Sequence, residues 1–167
     1  MNAPREAESK DLIQFKKHLL ELVNREVDLA SVSPADQRQV VVDLLLKRYQ
    51  SLKVNLPAEL RDTIFQEIIN EILGFGILQP LLNDQEISEV MVNGKGQVFV
   101  EKFGVLSQTD IQFESDQDII RLIDKIILPL GRRVDGDSPT VDARLPDGSR
   151  VNAVVPPVAI DGPLLTI

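Results

Sequence analysis

Val141-Asp142-Ala143-Arg144-Leu145-Pro146-Asp147-Gly148-Ser149-Arg150-Val151-Asn152-Ala153 reads as a β-hairpin. Pro146-Asp147-Gly148 after Leu145 fits a type I turn followed by a left-handed glycine, the common three-residue hairpin loop. That loop predicts the register: Leu145 opposite Ser149, Arg144 opposite Arg150, Ala143 opposite Val151 and Asp142 opposite Asn152. One face then holds Val141, Ala143, Val151 and Ala153, small and apolar enough to pack. The other face sets Arg144 and Arg150 directly across from one another. Two guanidinium groups so placed repel, and sheet stability alone does not favour the pair. Two accounts stay open. An anion between them would turn the repulsion into an asset, because guanidinium binds phosphate bidentately. Alternatively Asp142, diagonal to Arg150, neutralises the pair as an ordinary surface network.

Working outward, the neighbouring segments read as sheet and helix. Ile87 to Val92 alternates as a strand, and Asn93-Gly94-Lys95-Gly96 is turn chemistry leading into a second strand, Gln97 to Lys102. Phe103-Gly104 turns into a third, Val105 to Thr109. Ser115-Asp116-Gln117-Asp118 caps a helix whose face is Ile119, Ile123, Ile126, Ile127 and Leu130, closed by Gly131. Leu164-Leu165-Thr166-Ile167 reads as the start of a further strand, left unfinished. That ending predicts a piece cut from a longer chain.

The N-terminal part follows a different grammar. After a polar stretch, Met1 to Glu8, expected to fray, Lys10 to Asp28 carries a helical stripe of Leu12, Leu19, Leu20, Val23 and Val27. Ser33-Pro34-Ala35-Asp36 reads as the start of a second helix, with serine at the cap and proline in the first turn. Leu60, Ile64, Ile68 and Ile72 recur in steps of four after Pro57, closing at Gly74. The whole predicts an α+β chain: a helical bundle over residues 1–55, then over 56–167 a mostly antiparallel sheet with a packed helix. The third helix, starting near Pro57, could join the first two in the bundle or pack on the second region.

Composition narrows the chemistry. The 167 residues contain no cysteine, which removes disulfides, thiolate zinc sites and cysteine nucleophiles. A single histidine, His18, argues against a His-based metal cluster or a Ser-His-Asp triad. It falls mid-helix and reads as a boundary residue. The net charge of −8 repels phosphate backbones and anionic lipid, so nucleic acid is not an expected partner. No apolar run approaches a bilayer span, and the N-terminus does not read as a signal peptide, which predicts a cytoplasmic protein. Charge is unevenly placed: residues 129–167 hold four arginines against five aspartates, so the acidic excess lies before them.

Other candidates are weaker. Arg132 and Arg133, just past Gly131, either join an electropositive surface or simply favour the negative end of the preceding helix. Gly94-Lys95-Gly96 superficially suggests a phosphate loop, but no G-x-x-x-x-G-K-[ST] occurs, and a surface turn is the better reading. Asp135-Gly136-Asp137 begins like a calcium loop yet lacks the later oxygen ligands and closing glutamate. No catalytic residue and no metal site is expected.

From Gly74 onward the chain resembles the N-terminal domain of type II/IV secretion ATPases, and most of all their tight-adherence (Tad) pilus-assembly branch. The resemblance rests on Gly74-Phe75-Gly76 with Leu78, Pro80-Leu81-Leu82, Ile87 to Gly94, Gly131-Arg132-Arg133-Val134-Asp135, Ser138-Pro139 and the hairpin itself. Pro156-Pro157, Asp161-Gly162-Pro163 and Leu165-Thr166-Ile167 continue it. It spans about residues 60–167, whereas 1–55 are similar only in kind. It implies the N-terminal part of a homo-hexameric motor, truncated before a RecA-like P-loop domain, in which ATP and magnesium sit between the two. It also implies a place at the inner membrane, peripheral to pilus or secretion platform proteins. Arg150 would contact the nucleotide phosphates, and Arg144, Arg132 and Arg133 fit the same surface less securely. Without the P-loop, the catalytic glutamate and the metal-binding residues, these 167 residues should neither hydrolyse ATP nor hold nucleotide tightly. The competing expectation is a non-enzymatic interaction module that docks a membrane platform or a partner subunit.

Overall fold

The structure, a computed structural model, describes the backbone of residues 3–167 and the side chains from residue 11 onward. Contacts divide it into two compact units that meet between Gly76 and Ile77, later than the expected boundary at 55/56. The third helix accounts for the difference, because its apolar face is buried with the first two.

The helical unit contains α1 (Ala3–Asn24), α2 (Gln37–Ser51) and α3 (Ala58–Leu73). Leu19 and Val23 of α1, Val41 and Leu45 of α2, and Ile64, Phe65, Ile68 and Ile69 of α3 form one buried cluster. Each fully buried aliphatic side chain contributes about 1.5–3 kcal/mol relative to exposure. Tyr49 fills the cluster's edge, its ring T-shaped to Phe15 and to Phe65 at centroid distances of 6.2 and 5.5 Å. Its hydroxyl accepts the Leu56 N–H at 2.9 Å. The expected frayed start is helical from Ala3, while Met1 and Asn2 lie outside the described residues. α2 begins later than Ser33-Pro34 predicts. The Ser33 hydroxyl donates to the Asp36 carboxylate at 2.7 Å instead of accepting a helix N–H, so Pro34 to Asp36 form a turn ahead of the helix. His18 is exposed, not a boundary residue.

The second unit is α+β. It contains the short α4 (Gln79–Leu82), then β1 (Ile87–Asn93), β2 (Val98–Lys102) and β3 (Val105–Gln108). α5 (Asp116–Ile127) leads to β4 (Thr140–Arg144), β5 (Arg150–Val154) and β6 (Leu164–Thr166). The strands form a single sheet in the order β3-β2-β1-β6-β5-β4, with every pairing antiparallel. β6 therefore lies in the middle, joining a three-stranded meander to the β4–β5 hairpin. Its register sets Leu165 between Val92 and Ala153.

One sheet face holds Val90, Val92, Val98, Val100, Val141, Val151, Ala153 and Leu165, all buried. α5 supplies the opposing layer through Ile119, Leu122, Ile123, Ile126 and Ile127, also buried. Its ends follow the expected capping. The Ser115 side chain accepts the Asp118 N–H, and beyond Ile127 a 3-10 turn, Leu128–Leu130, stops at Gly131 with φ +70°. The other sheet face is the open one, and it carries Asp142, Arg144, Arg150 and Asn152, all exposed.

Candidate functional site

Local chemistry builds the hairpin as the sequence predicts. The Gly148 N–H bonds the Leu145 carbonyl at 2.9 Å, the Leu145 N–H bonds the Ser149 carbonyl at 2.8 Å, and Gly148 adopts φ +97°. The Asp147 carboxylate accepts the Ser149 N–H at 2.9 Å, holding the loop from within. The strands then pair Ala143 with Val151, Asp142 with Asn152, and Arg144 with Arg150. Alternation sends Val141, Val151 and Ala153 to the core and leaves both arginines exposed.

The Arg150 guanidinium is held by Asp142. Its Nε donates to both carboxylate oxygens, at 3.0 and 3.1 Å, and a terminal nitrogen also bonds Oδ2. This hydrogen bonding holds the Asp142 carboxyl below the usual aspartate range and raises Arg150 in turn. The diagonal network expected as the bland account thus exists, but it serves one arginine of the two. Among the described residues Arg144 has no acidic partner within ion-pair distance. The three side chains sum to one net positive charge.

Arg150 also borders an open cleft of about 630 Å³ on the exposed sheet face. Ser149, Asn152 and Thr166 continue its polar wall, Leu81, Leu82 and Ile87 line it with apolar surface, and Glu89 and Glu101 add carboxylates. Of the four arginines singled out from the sequence, only Arg150 lines it. Arg132 and Arg133 stand exposed on the loop after α5. The Arg132 N–H donates to the Ile127 carbonyl at 3.1 Å, which is how a helix end is closed. The Asp135 carboxylate accepts the N–H groups of Asp137 and Ser138, both at 3.0 Å, so it acts as a turn acceptor within that loop.

Two features of the cleft escaped the sequence reading. Glu89 and Glu101 are direct cross-strand partners, a like-charge pair on the same face as the arginines. The pairing shifts between Ile87 and Glu89, making Ser88 the extra residue of a bulge. The Ser88 hydroxyl lies 2.9 Å from Glu101 Oε1 and 3.2 Å from its carbonyl oxygen. The register of the β1–β2 turn would have exposed the acid pair, since Val92 pairs with Val98 and the count runs back from there. The bulge leaves no such trace. Nearby, Lys102 binds Glu86 at 2.5 Å and Asp84 at 3.4 Å, which ties the entry of β1 to the end of β2. The Gly94-Lys95-Gly96 turn is a surface turn anchored at one end: Lys95 and Gly96 are exposed, whereas Gly94 is buried and its N–H donates to the Pro163 carbonyl at 3.0 Å.

A six-stranded antiparallel sheet, one covering helix and an arginine-bearing hairpin beside a cleft define a small α+β unit. Residues 71–165 match the Type II/IV secretion system protein family, and the chain belongs to that family. An uncharacterized protein of Methanocaldococcus jannaschii is 31% identical over 154 residues, covering 91% of this chain and 20% of its own length. A putative conjugal transfer protein of Mycobacterium tuberculosis is 34% identical over 103 residues, 58% of this chain and 29% of its own. Among solved structures, the VirB11 ATPase from the Brucella suis type IV secretion system, determined in complex with sulphate, matches with 28% identity and a TM-score of 0.49. The match covers 53% of this chain and 28% of that one. The chain therefore spans less than a third of the length of each of these relatives.

Proposed function

We propose that this chain is the N-terminal regulatory and nucleotide-capping region of a hexameric ATPase that powers pilus assembly or protein secretion, on the Tad branch of its family. Family membership over residues 71–165 supports the general reading. The observation that carries the mechanism is the cross-strand pair of Arg144 and Arg150, with Arg150 exposed at the edge of the cleft. Arg150 reaches the terminal phosphate of ATP held by a RecA-like domain elsewhere in the full-length protein. Its fork of N–H donors matches phosphate oxygens, and Arg144 adds a second positive charge. Loss of that phosphate weakens the contact and releases this domain to swing, which couples hydrolysis to movement.

Guanidinium chemistry suits a phosphate. Among the described residues no group of three His, Cys, Asp or Glu side chains is placed to hold a metal ion, and ATP's magnesium would be held by the rest of the motor. The phosphate loop and catalytic groups belong to the rest of the motor, and the partners are the other subunits and an inner-membrane pilus or secretion platform. The motor works at the cytoplasmic face, peripheral to that membrane. No helix of the described residues is long and apolar enough to cross a membrane. In the full-length motor, Arg150→Ala should lower ATP affinity or turnover by about tenfold or more, since a hydrogen bond to a charged group contributes about 1.5–3 kcal/mol. Unchanged steady-state kinetics together with unchanged ATP binding would overturn the proposal.

A second reading, a non-enzymatic module that docks a platform or subunit, draws support from the sheet's outer edge. All four residues of β3 are exposed, Val105 and Leu106 among them, and Phe103 at the adjoining turn is 76% exposed. An edge strand without charge or proline is a ready pairing surface. Loss of partner capture on Leu106→Lys, with ATP binding untouched by Arg150→Ala, would favour it.

A further inference from the structure

We propose that Asp142 is a built-in competitor for Arg150, holding the donor edge that a nucleotide phosphate would otherwise take, so that this carboxylate weakens the motor's hold on ATP. The inference rests on the reading that Arg150 contacts phosphate. It begins from the geometry of the pair. Asp142 engages the edge of the guanidinium formed by Nε and a terminal nitrogen. That edge is a fork of parallel donors, the same element that binds two oxygens of a phosphate. One edge cannot serve both anions, so carboxylate and phosphate exclude one another there.

The surroundings make the exchange feasible. The Arg150 and Asp142 side chains are 72% and 47% exposed, so solvent can reach the pair and its opening requires no repacking of the core. Arg144 lies directly across from Arg150 and retains its charge without an acidic partner among the described residues. A phosphate arriving at Arg150 therefore meets two positive charges, whereas Asp142 presents only one negative charge to them. The departing carboxylate keeps a neutral neighbour, because its own cross-strand partner is Asn152. Glu89 and Glu101 border the cleft as well, but no hydrogen bond links either to Arg150 among the described residues. Asp142 is thus the anion that competes. An aspartate is ionised at neutral pH, and the bonds from Arg150 favour its charged form further, so the competing charge is present under working conditions.

The consequence runs opposite to that of an ordinary positioning residue. Removing a residue that merely orients Arg150 would weaken phosphate binding, whereas removing a competitor strengthens it. The test is the dissociation constant for ATP in the full-length motor, measured for wild type, Asp142→Asn, Asp142→Ser, Arg150→Ala and the Asp142→Asn/Arg150→Ala double variant. Asp142→Asn and Asp142→Ser should each tighten ATP several-fold, and the double variant should match Arg150→Ala, because the gain requires the arginine. If Arg150→Ala weakens ATP while both Asp142 variants weaken it or leave it unchanged, the competitor role is overturned and the phosphate contact stands. If Arg150→Ala leaves ATP affinity unchanged, the phosphate contact falls and the competitor role with it.

Discussion

Leu165 of β6 lies directly opposite Val92 of β1, and both are sealed from solvent, at 1% and 0% exposure. On its other side Leu165 pairs with Ala153. This contact is where the meander β1-β2-β3 and the hairpin β4-β5 become one sheet, since β6 is the strand that pairs with both. A three-residue strand thus closes the core beneath the candidate phosphate site.

Leu165→Ala should therefore destabilise the α+β unit far more than a typical strand substitution. A cavity at the junction of two sub-sheets has little freedom to collapse, and buried Leu→Ala changes cost about 2–5 kcal/mol. Urea denaturation of the variant would measure it. A loss below about 0.5 kcal/mol, the size of an ordinary surface change, would mean that the two halves hold together by other contacts.

The pairing of Asp142 with Arg150 makes a pH signature. Hydrogen bonding to Arg150 depresses the Asp142 pKa in the folded protein. A carboxylate whose folded value lies below its unfolded one stabilises the fold above the usual aspartate pKa of about 3.9, and that contribution disappears as pH falls through the folded value. Following the Asp142 carboxyl carbon by NMR should give a midpoint below that usual value. Arg150→Ala should raise the midpoint toward it, and an identical titration in both proteins would contradict the pair.

Gly162 is constrained in two ways at once. It adopts φ +115°, and a Cβ placed there would meet the Gly94 Cα and Asp116 Oδ1, each at 3.2 Å. Gly104 also has positive φ, at +75°, but no atom lies within 4 Å of its would-be Cβ. Gly162→Ala should consequently lower the melting temperature more than Gly104→Ala, which carries only the backbone penalty of about 1 kcal/mol. Equal shifts would show that the contact with the β1–β2 turn yields freely.

Tyr49 offers a test confined to the helical unit. Its hydroxyl is the acceptor for the Leu56 N–H, in the link between α2 and α3. Tyr49→Phe keeps the ring and its edge contacts but strands that donor, a loss of about 0.5–1.5 kcal/mol. Thermal or urea unfolding followed by helical circular dichroism would register it, and an unaltered transition would mean that water replaces the hydroxyl at no cost.

Much of the fold could be read in advance because its signals are local. Ser115 and Gly131 bracket α5 through side-chain and backbone hydrogen bonds a few residues apart. A three-residue loop leaves one register for Arg144 and Arg150, and the structure has that register. The start of α2 misled because Ser33 had two acceptable partners within reach, and it bonds the Asp36 side chain. The unit boundary misled for a related reason: the stripe of α3 shows that one face is buried, but not against what.

The sequence by itself determined the helices, the strands, the antiparallel hairpin and the two arginines facing one another, since each follows from dihedral preference and periodicity over a few residues. Only the tertiary structure decided that β6 enters the middle of the sheet, that Glu89 and Glu101 share a cleft with Arg150, and which of the two open accounts of Asp142 holds: it pairs with Arg150, while Arg144 has no acidic partner among the described residues. Strand order depends on which apolar faces bury one another across long stretches of chain, and ion-pair choice depends on side-chain reach across strands. Neither is written in the spacing of residues along the chain.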